Sequence, residues 1–311
     1  MGKIRNVKSK LAHFGSEFNS ARQIFGSRIA VLGYINHATG KLGETYFKQL
    51  GDLTWQKLMK PIPSCYLQKP SDAMKDVECA PIWVMWWQGL DVNTPAIVKA
   101  CIRSIRAHAG SHPVHIVTKD NVTAFADIDQ KVLKELDRGN ISLALFSDIV
   151  RFALLYTHGG AWIDSTVYVT KMIPEDVFSA PFYSIPVQQQ NPPRNWTAYF
   201  IAGAKGNPLF KCMYEALSKL VRLGKGVPEY FMIDVVLSEA YTHYPEFKRM
   251  VDSVPDNNLD RFKLSGQLQS TDEKPKLPAD NYINKLTYKI NYPTTVNGKK
   301  TIYQRLLDGE F

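Results

Sequence analysis

Between Ser147 and Thr166 the chain carries two carboxylates, Asp148 and Asp164, and one guanidinium, Arg151, in segments otherwise suited to burial. Burying such groups is costly unless they find partners, so they call for one another, a metal or a ligand. Asp148 and Arg151 are three residues apart in an apolar pattern from Ile141 to Tyr156, so they leave that helix on one side. Ser142 suits its N-cap, and Gly159-Gly160 offers the positive-φ exit that helices favour. Ala161 to Val169 then reads as a strand, whose period of two puts Trp162, Asp164, Thr166 and Tyr168 on one face. A carboxylate and a hydroxyl at a strand end can meet a metal ion or a diphosphate from one side. The plainer alternative is an internal Asp148–Arg151 pair, with Asp164 capping a turn. On these residues alone both readings stand.

The elements that would hold these groups are legible on either side. Ile82 to Trp87 is a run of strand formers closed by Gln88-Gly89, and Asn93-Thr94-Pro95 opens a helix that runs through Ala107. Pro113 to Thr118 is a second short strand, which makes a parallel βαβ unit of the kind that binds ligands at the carboxyl ends of its strands. Trp86, Gln88 and Gly89 stand at such an end, where a base can stack and a backbone can come close, whereas Trp83 reads as core. Gln130 to Arg138 has helical character. Further along, Ala198–Ala204 reads as a strand, Pro208–Leu223 and Pro228–Tyr241 as helices, and Ile283–Lys289 as a late strand. The helix from Pro228 holds Asp234 among apolar neighbours, an acid that is either paired or aimed into a cleft.

With 311 residues, 45% of them hydrophobic and 12% aromatic, the chain is globular and can bury a large α/β core. No apolar run approaches the roughly 20 residues that span a bilayer, and Met1 to Phe14 lacks the unbroken apolar stretch of a secretion signal. Four cysteines, Cys65, Cys79, Cys101 and Cys212, form no C-x-x-C pair, which argues for a reducing, cytoplasmic setting and against a zinc cage. His108, His112 and His115 are separated by Gly110 and Pro113, so they cannot share one helical face as metal ligands. The net charge is +9, and residues 1–28 alone hold six Lys/Arg against one Asp/Glu. A basic amphipathic segment of that kind can lie on an anionic membrane surface or pack on the main domain. Nucleic-acid binding is not expected, because no recognition-module signature accompanies the charge. The composition divides the chain into a helical basic extension, 1–79, and a main domain, 80–311.

Ser147-Asp148-x-x-Arg151, the Leu154-Leu155-Tyr156 that follows, Gly159-Gly160 and Trp162-Ile163-Asp164 together resemble the donor-sugar region of the capsular polysaccharide synthesis proteins. These are relatives of DXD-containing glycosyltransferases that include yeast mannosyltransferases and clostridial toxin glucosyltransferases. Ile82 to Gly89, Tyr230-Phe231-Met232-Ile233-Asp234 and Lys285-Leu286-Thr287 are similar to other segments of that family, in the right order, over roughly residues 80–290. The resemblance implies a glycosyltransferase-A-like βα sandwich with a central mixed sheet. It further implies transfer of a hexose from a nucleoside diphosphate sugar to a glycan or lipid-linked glycan, with retention at the anomeric carbon. By that similarity Asp148 and Arg151 hold sugar hydroxyls, and Trp86, Gln88, Gly89 and Gly160 belong to the donor site. Asp164 takes the place of the first DXD acid, and Asp234 meets the acceptor or acts as a base. Thr166 stands where the second DXD acid would be, and its hydroxyl is a poorer ligand than a carboxylate for the Mn²⁺ or Mg²⁺ that the resemblance implies at Asp164 and Thr166. A relative that binds nucleotide sugar without turnover is the alternative this substitution keeps open, and a basic membrane-associated protein is another.

Overall fold

The structure, a computed structural model, describes residues 15–60, 62, 79–187, 189, 194–224, 226 and 228–311. The basic residues before 15 and most of the Pro-bearing connector, with Cys65, lie outside the described residues. The chain is α/β, with a five-stranded mixed sheet in the order β2-β1-β3-β6-β5, compatible with a glycosyltransferase-A-like fold. Its strands are β1 (Ile82–Met85), β2 (Val114–Val117), β3 (Gly160–Ile163), β5 (Phe182–Ser184) and β6 (Phe200–Gly203). β1 runs parallel to both β2 and β3, while β6 is antiparallel to β3 and β5. Every residue of β1, β3 and β6 is buried, as expected of strands covered on both faces. A separate two-stranded ladder pairs β4 (Val167–Val169) with β7 (Ile283–Lys285), placing Val167 opposite Lys285.

The expected helix in the middle of the chain is present as Leu143–His158, with the Ser142 side chain accepting a hydrogen bond from the Leu145 amide at 3.2 Å. It packs along Pro208–Leu223, and the two bury Phe146, Phe152, Phe210 and Leu217 in a common core. Gly160 has φ +87, and a Cβ there would lie 2.0 Å from the Pro81 carbonyl oxygen, so only glycine lets β3 start so close to its neighbour.

One difference from the sequence reading matters for chemistry. The strand expected over Ala161–Val169 breaks into β3 and β4, which belong to different sheets. Asp164, Ser165 and Thr166 form the turn between them, closed by the Val167 amide donating to the Asp164 carbonyl at 2.9 Å. Alternation along one strand therefore does not align Asp164 with Thr166; the turn does. Similarly, the late strand ends at Lys285, so Leu286 to Lys289 are free to bound a cleft. The helix bearing Asp234 begins at Met232, not Pro228.

The N-terminal helices Ser27–Thr39 and Gly43–Thr54 share the core of the rest, with Ile29, Leu50 and Leu58 fully buried. Gly43–Thr54 packs on Met232–His243, and Trp55 stacks on His243 with ring centroids 3.9 Å apart. No helix among the described residues is long and apolar enough to cross a membrane.

Candidate functional site

Arg151 is the hinge of a charged cluster inside the fold, with its side chain only 5% exposed. Its guanidinium donates to Asp148 Oδ1 at 2.9 Å and lies 3.5 Å from Asp164 Oδ1. It also sits over the Trp162 ring, 4.8 Å from the centroid. Its Nε is buried and has no partner among the described residues, an unspent donor in a site that otherwise satisfies its charges. Asp164 is the most shared acid of the group. It accepts from Trp162 Nε1 at 2.9 Å and from Lys285 Nζ at 2.7 Å, and its amide donates to the Tyr199 carbonyl. Lys285 Nζ also donates to Thr166 Oγ1 at 2.8 Å and lies 4.9 Å from the Tyr199 ring centroid.

The two acids titrate apart. Burial pushes the Asp148 carboxyl up to about 7; Arg151 opposes this, while the negative charges of Asp164 and Asp234 add to it. Burial pushes Asp164 up as well, but Lys285 and Arg151 outweigh it and hold that carboxyl below the usual range. At neutral pH the site thus pairs one firmly ionised carboxylate with one poised to change its charge.

A solvent-open cleft of about 500 Å³ is bounded by Trp86, Gln88, Asp164, Thr166, Lys285 and Tyr288. Trp86 and Tyr288 meet edge to face, 5.7 Å apart, at one wall. A smaller cavity of about 250 Å³ shares Ala144 and Tyr230 with the first and is lined by Asp148. Small-molecule sites occupy roughly 300–1,000 Å³, so the cleft is of ligand size by itself and the smaller cavity extends it.

Of the expected site residues, the structure gathers Trp86, Gln88, Asp164 and Thr166 on the cleft, with Arg151 bridging from Asp164 to Asp148. Gly89 shapes the corner that presents Trp86 and Gln88, its φ being +78 and its amide bonded to the Trp86 carbonyl at 3.0 Å. Gly160 is placed elsewhere. It begins β3, four residues and roughly 13 Å of extended chain from Asp164, packed on Pro81. Asp234 lines neither cavity; it accepts from Trp196 Nε1 at 2.9 Å and pairs with Arg194 at 3.3 Å. Burial raises its pKa against the pull of Arg194. The three histidines go separate ways: His112 stacks on Phe178, His115 stacks on Trp83, and His108 Nδ1 bonds the Ser104 carbonyl.

Lys285 was not a candidate from sequence. The nearest signal is the resemblance of Lys285-Leu286-Thr287 to a family segment, which gives the lysine no role. Its position is built with care: buried Asn258, at φ +47, accepts from the Tyr282 and Ile283 amides at 2.7 Å each, and the Lys285 amide donates to the Arg261 carbonyl. The expected metal position between Asp164 and Thr166 is where this ammonium sits. One carboxylate, one hydroxyl and a cation do not fit a hard dication, which wants several oxygen donors and no positive neighbour. Among the described residues no group of three or more His, Cys, Asp or Glu is gathered to hold a metal.

A family model described as capsular polysaccharide synthesis protein matches residues 46–306. The chain belongs to that family. The match takes in the cluster, the cleft and Lys285, and it begins inside helix Gly43–Thr54, ahead of the segment in which the resemblance was seen. No curated protein matches the chain.

Proposed function

We propose that this capsular polysaccharide synthesis protein is a glycosyltransferase that moves a hexose from a nucleoside diphosphate sugar, a UDP-sugar for preference, to a glycan or lipid-linked glycan acceptor. The observation that carries the reading is the chain of contacts Asp148–Arg151–Asp164 running from one cavity into the adjoining cleft. Sugar hydroxyls are bound well by paired, charge-assisted donors and acceptors, and this partly buried cluster offers both. Trp86 supplies a flat face for the base at the cleft wall. In the reaction the bond from the anomeric carbon to the phosphate oxygen breaks, and its electron pair stays on the diphosphate. The acceptor hydroxyl oxygen bonds to that carbon and its proton is released. Positive charge develops on the ring and negative charge on the leaving group, so a site in which carboxylates and cations alternate, as in Asp148–Arg151–Asp164–Lys285, lowers the barrier by offering both signs of charge. Retention at the anomeric carbon, and contact of the basic N-terminal residues with the inner face of the cell membrane, complete the proposal.

Thermal-shift screening with UDP-, GDP- and CMP-sugars tests it, since a ligand that binds only the native state raises its stability. The expected result is a rise in Tm with one nucleotide class, together with release of nucleoside diphosphate when acceptor is added. Absence of any shift across the panel would remove the assignment. A shift without turnover would favour the binding-only relative.

A further inference from the structure

We infer that Lys285 takes the place of the divalent cation at the DXD-like turn, so that the diphosphate leaving group is neutralised by an ammonium and donor binding needs no metal. The inference rests on the nucleotide-sugar reading above and adds to it a residue and a cofactor requirement.

Three observations converge. The first is register. β7 pairs with β4 so that Lys285 stands opposite Val167, and the Leu286 amide donates to the Thr166 carbonyl at 2.9 Å. The lysine is therefore locked beside the turn by backbone bonds and does not merely swing there on a flexible loop. The second is contact. Nζ reaches Asp164 Oδ2 at 2.7 Å and Thr166 Oγ1 at 2.8 Å, the two positions from which a DXD pair would grip a dication. An ammonium has three N–H donors, and these contacts use two, leaving one for a phosphate oxygen. The third is the nature of the pair that flanks it. A threonine in place of the second acid removes one negative charge, and one carboxylate balances one ammonium, whereas two carboxylates would suit an ion of charge two. Thr166 and Lys285 thus read as one coordinated change: the weaker ligand and the built-in cation belong together. Lys289 lines the same cleft and adds a second positive charge toward a diphosphate.

The chemistry balances without an added ion. Lys285 stays hydrogen-bonded to the turn, and its remaining N–H donor meets the phosphate oxygen on which charge accumulates as the bond to the anomeric carbon breaks.

The test uses the full chain and calorimetric titration with UDP, in excess EDTA and separately with Mn²⁺, beside transfer assays under the same conditions. Affinity and transfer in EDTA equal to those in Mn²⁺ are expected. Lys285→Ala should weaken UDP by about thirtyfold or more while changing uridine binding little, because uridine has no phosphate to lose contact with. Lys285→Arg should restore most of the affinity. The double variant Thr166→Asp with Lys285→Ala should regain UDP binding only when Mn²⁺ is present. UDP binding or transfer that vanishes in EDTA and returns with Mn²⁺ in the unaltered chain would overturn the inference and leave the glycosyltransferase reading intact. Failure to bind any nucleotide or nucleotide sugar in either condition would overturn both. Because the metal comparison is made on the unaltered protein, it decides the matter even if a variant folds poorly.

Discussion

Gly160 at the start of β3 and Asp164 just past its end are four residues apart and obey opposite rules. At its start, Gly159 and Gly160 are wrapped by backbone: Trp83 Nε1 donates to the Gly159 carbonyl at 3.1 Å, and no side chain fits between Gly160 and Pro81. Both glycines are buried. Just past its end, Asp164 is 29% exposed, shared among a tryptophan, an arginine and a lysine, and open to a cleft. Conserving packing at one end while holding charges unpaired by water at the other is what a ligand site on a rigid frame demands. The same two-glycine motif that looked like part of the donor site from sequence serves the frame.

Four changes would sharpen or break this contrast. Gly160→Ala should have the largest effect, since the new methyl overlaps a carbonyl at a positive φ. A loss of about 4 kcal/mol or more, seen as a Tm drop on the order of 10 °C or as insoluble protein, is expected. A variant with native Tm but lost donor binding would move Gly160 back into the site. Asp164→Asn should do the reverse, lowering kcat/KM by about a hundredfold or more while Tm moves by less than about 5 °C. Near-native transfer in that variant would detach the turn from the chemistry.

The third change concerns pH. Because Asp148 titrates near 7 in the folded chain and near the ordinary carboxylate value when unfolded, the native state holds its proton more tightly. Its contribution is therefore most favourable below the unfolded value and is lost as pH rises toward and through 7. Chemical denaturation at a series of pH values should show stability falling across that window, and Asp148→Asn should flatten the fall. Glu239, also pushed up to about 7 by burial and by the nearby Asp52, acts in the same window and sets the residual slope. An identical slope in the Asp148 variant would place the titration elsewhere. The smallest effect belongs to Trp86→Ala at the cleft wall. Loss of a stacking face should weaken nucleotide binding by about tenfold, read by calorimetry, with little change in Tm.

What was legible without coordinates follows a physical line. The helix Leu143–His158 with its serine cap, the parallel β1–helix–β2 unit and the tryptophan corner after β1 are written in local pattern: apolar spacing, capping residues and a closing glycine. So was the Asp148–Arg151 pair, because three residues on a helix bring side chains together whatever the rest of the fold does. The break of the strand at Asp164 was not legible. Trp162 to Val169 alternates as well as any strand, and only the demand of two different sheets for its halves bends it there. The burial of helices Ser27–Thr39 and Gly43–Thr54 in the common core was likewise hidden, since charge in the leading segment masks apolar positions such as Ile29 and Leu50.

Residue types and their short-range spacing determined by themselves that an acid and a guanidinium would share one side of a buried helix, with a second acid on the segment that follows it. Only the tertiary structure decided that Lys285, more than a hundred positions along the chain, would close the cluster. The reason is that hydrogen-bond register between β4 and β7 is a long-range property: it depends on how two sheets and the Asn258 clamp settle against one core, and no local pattern encodes it.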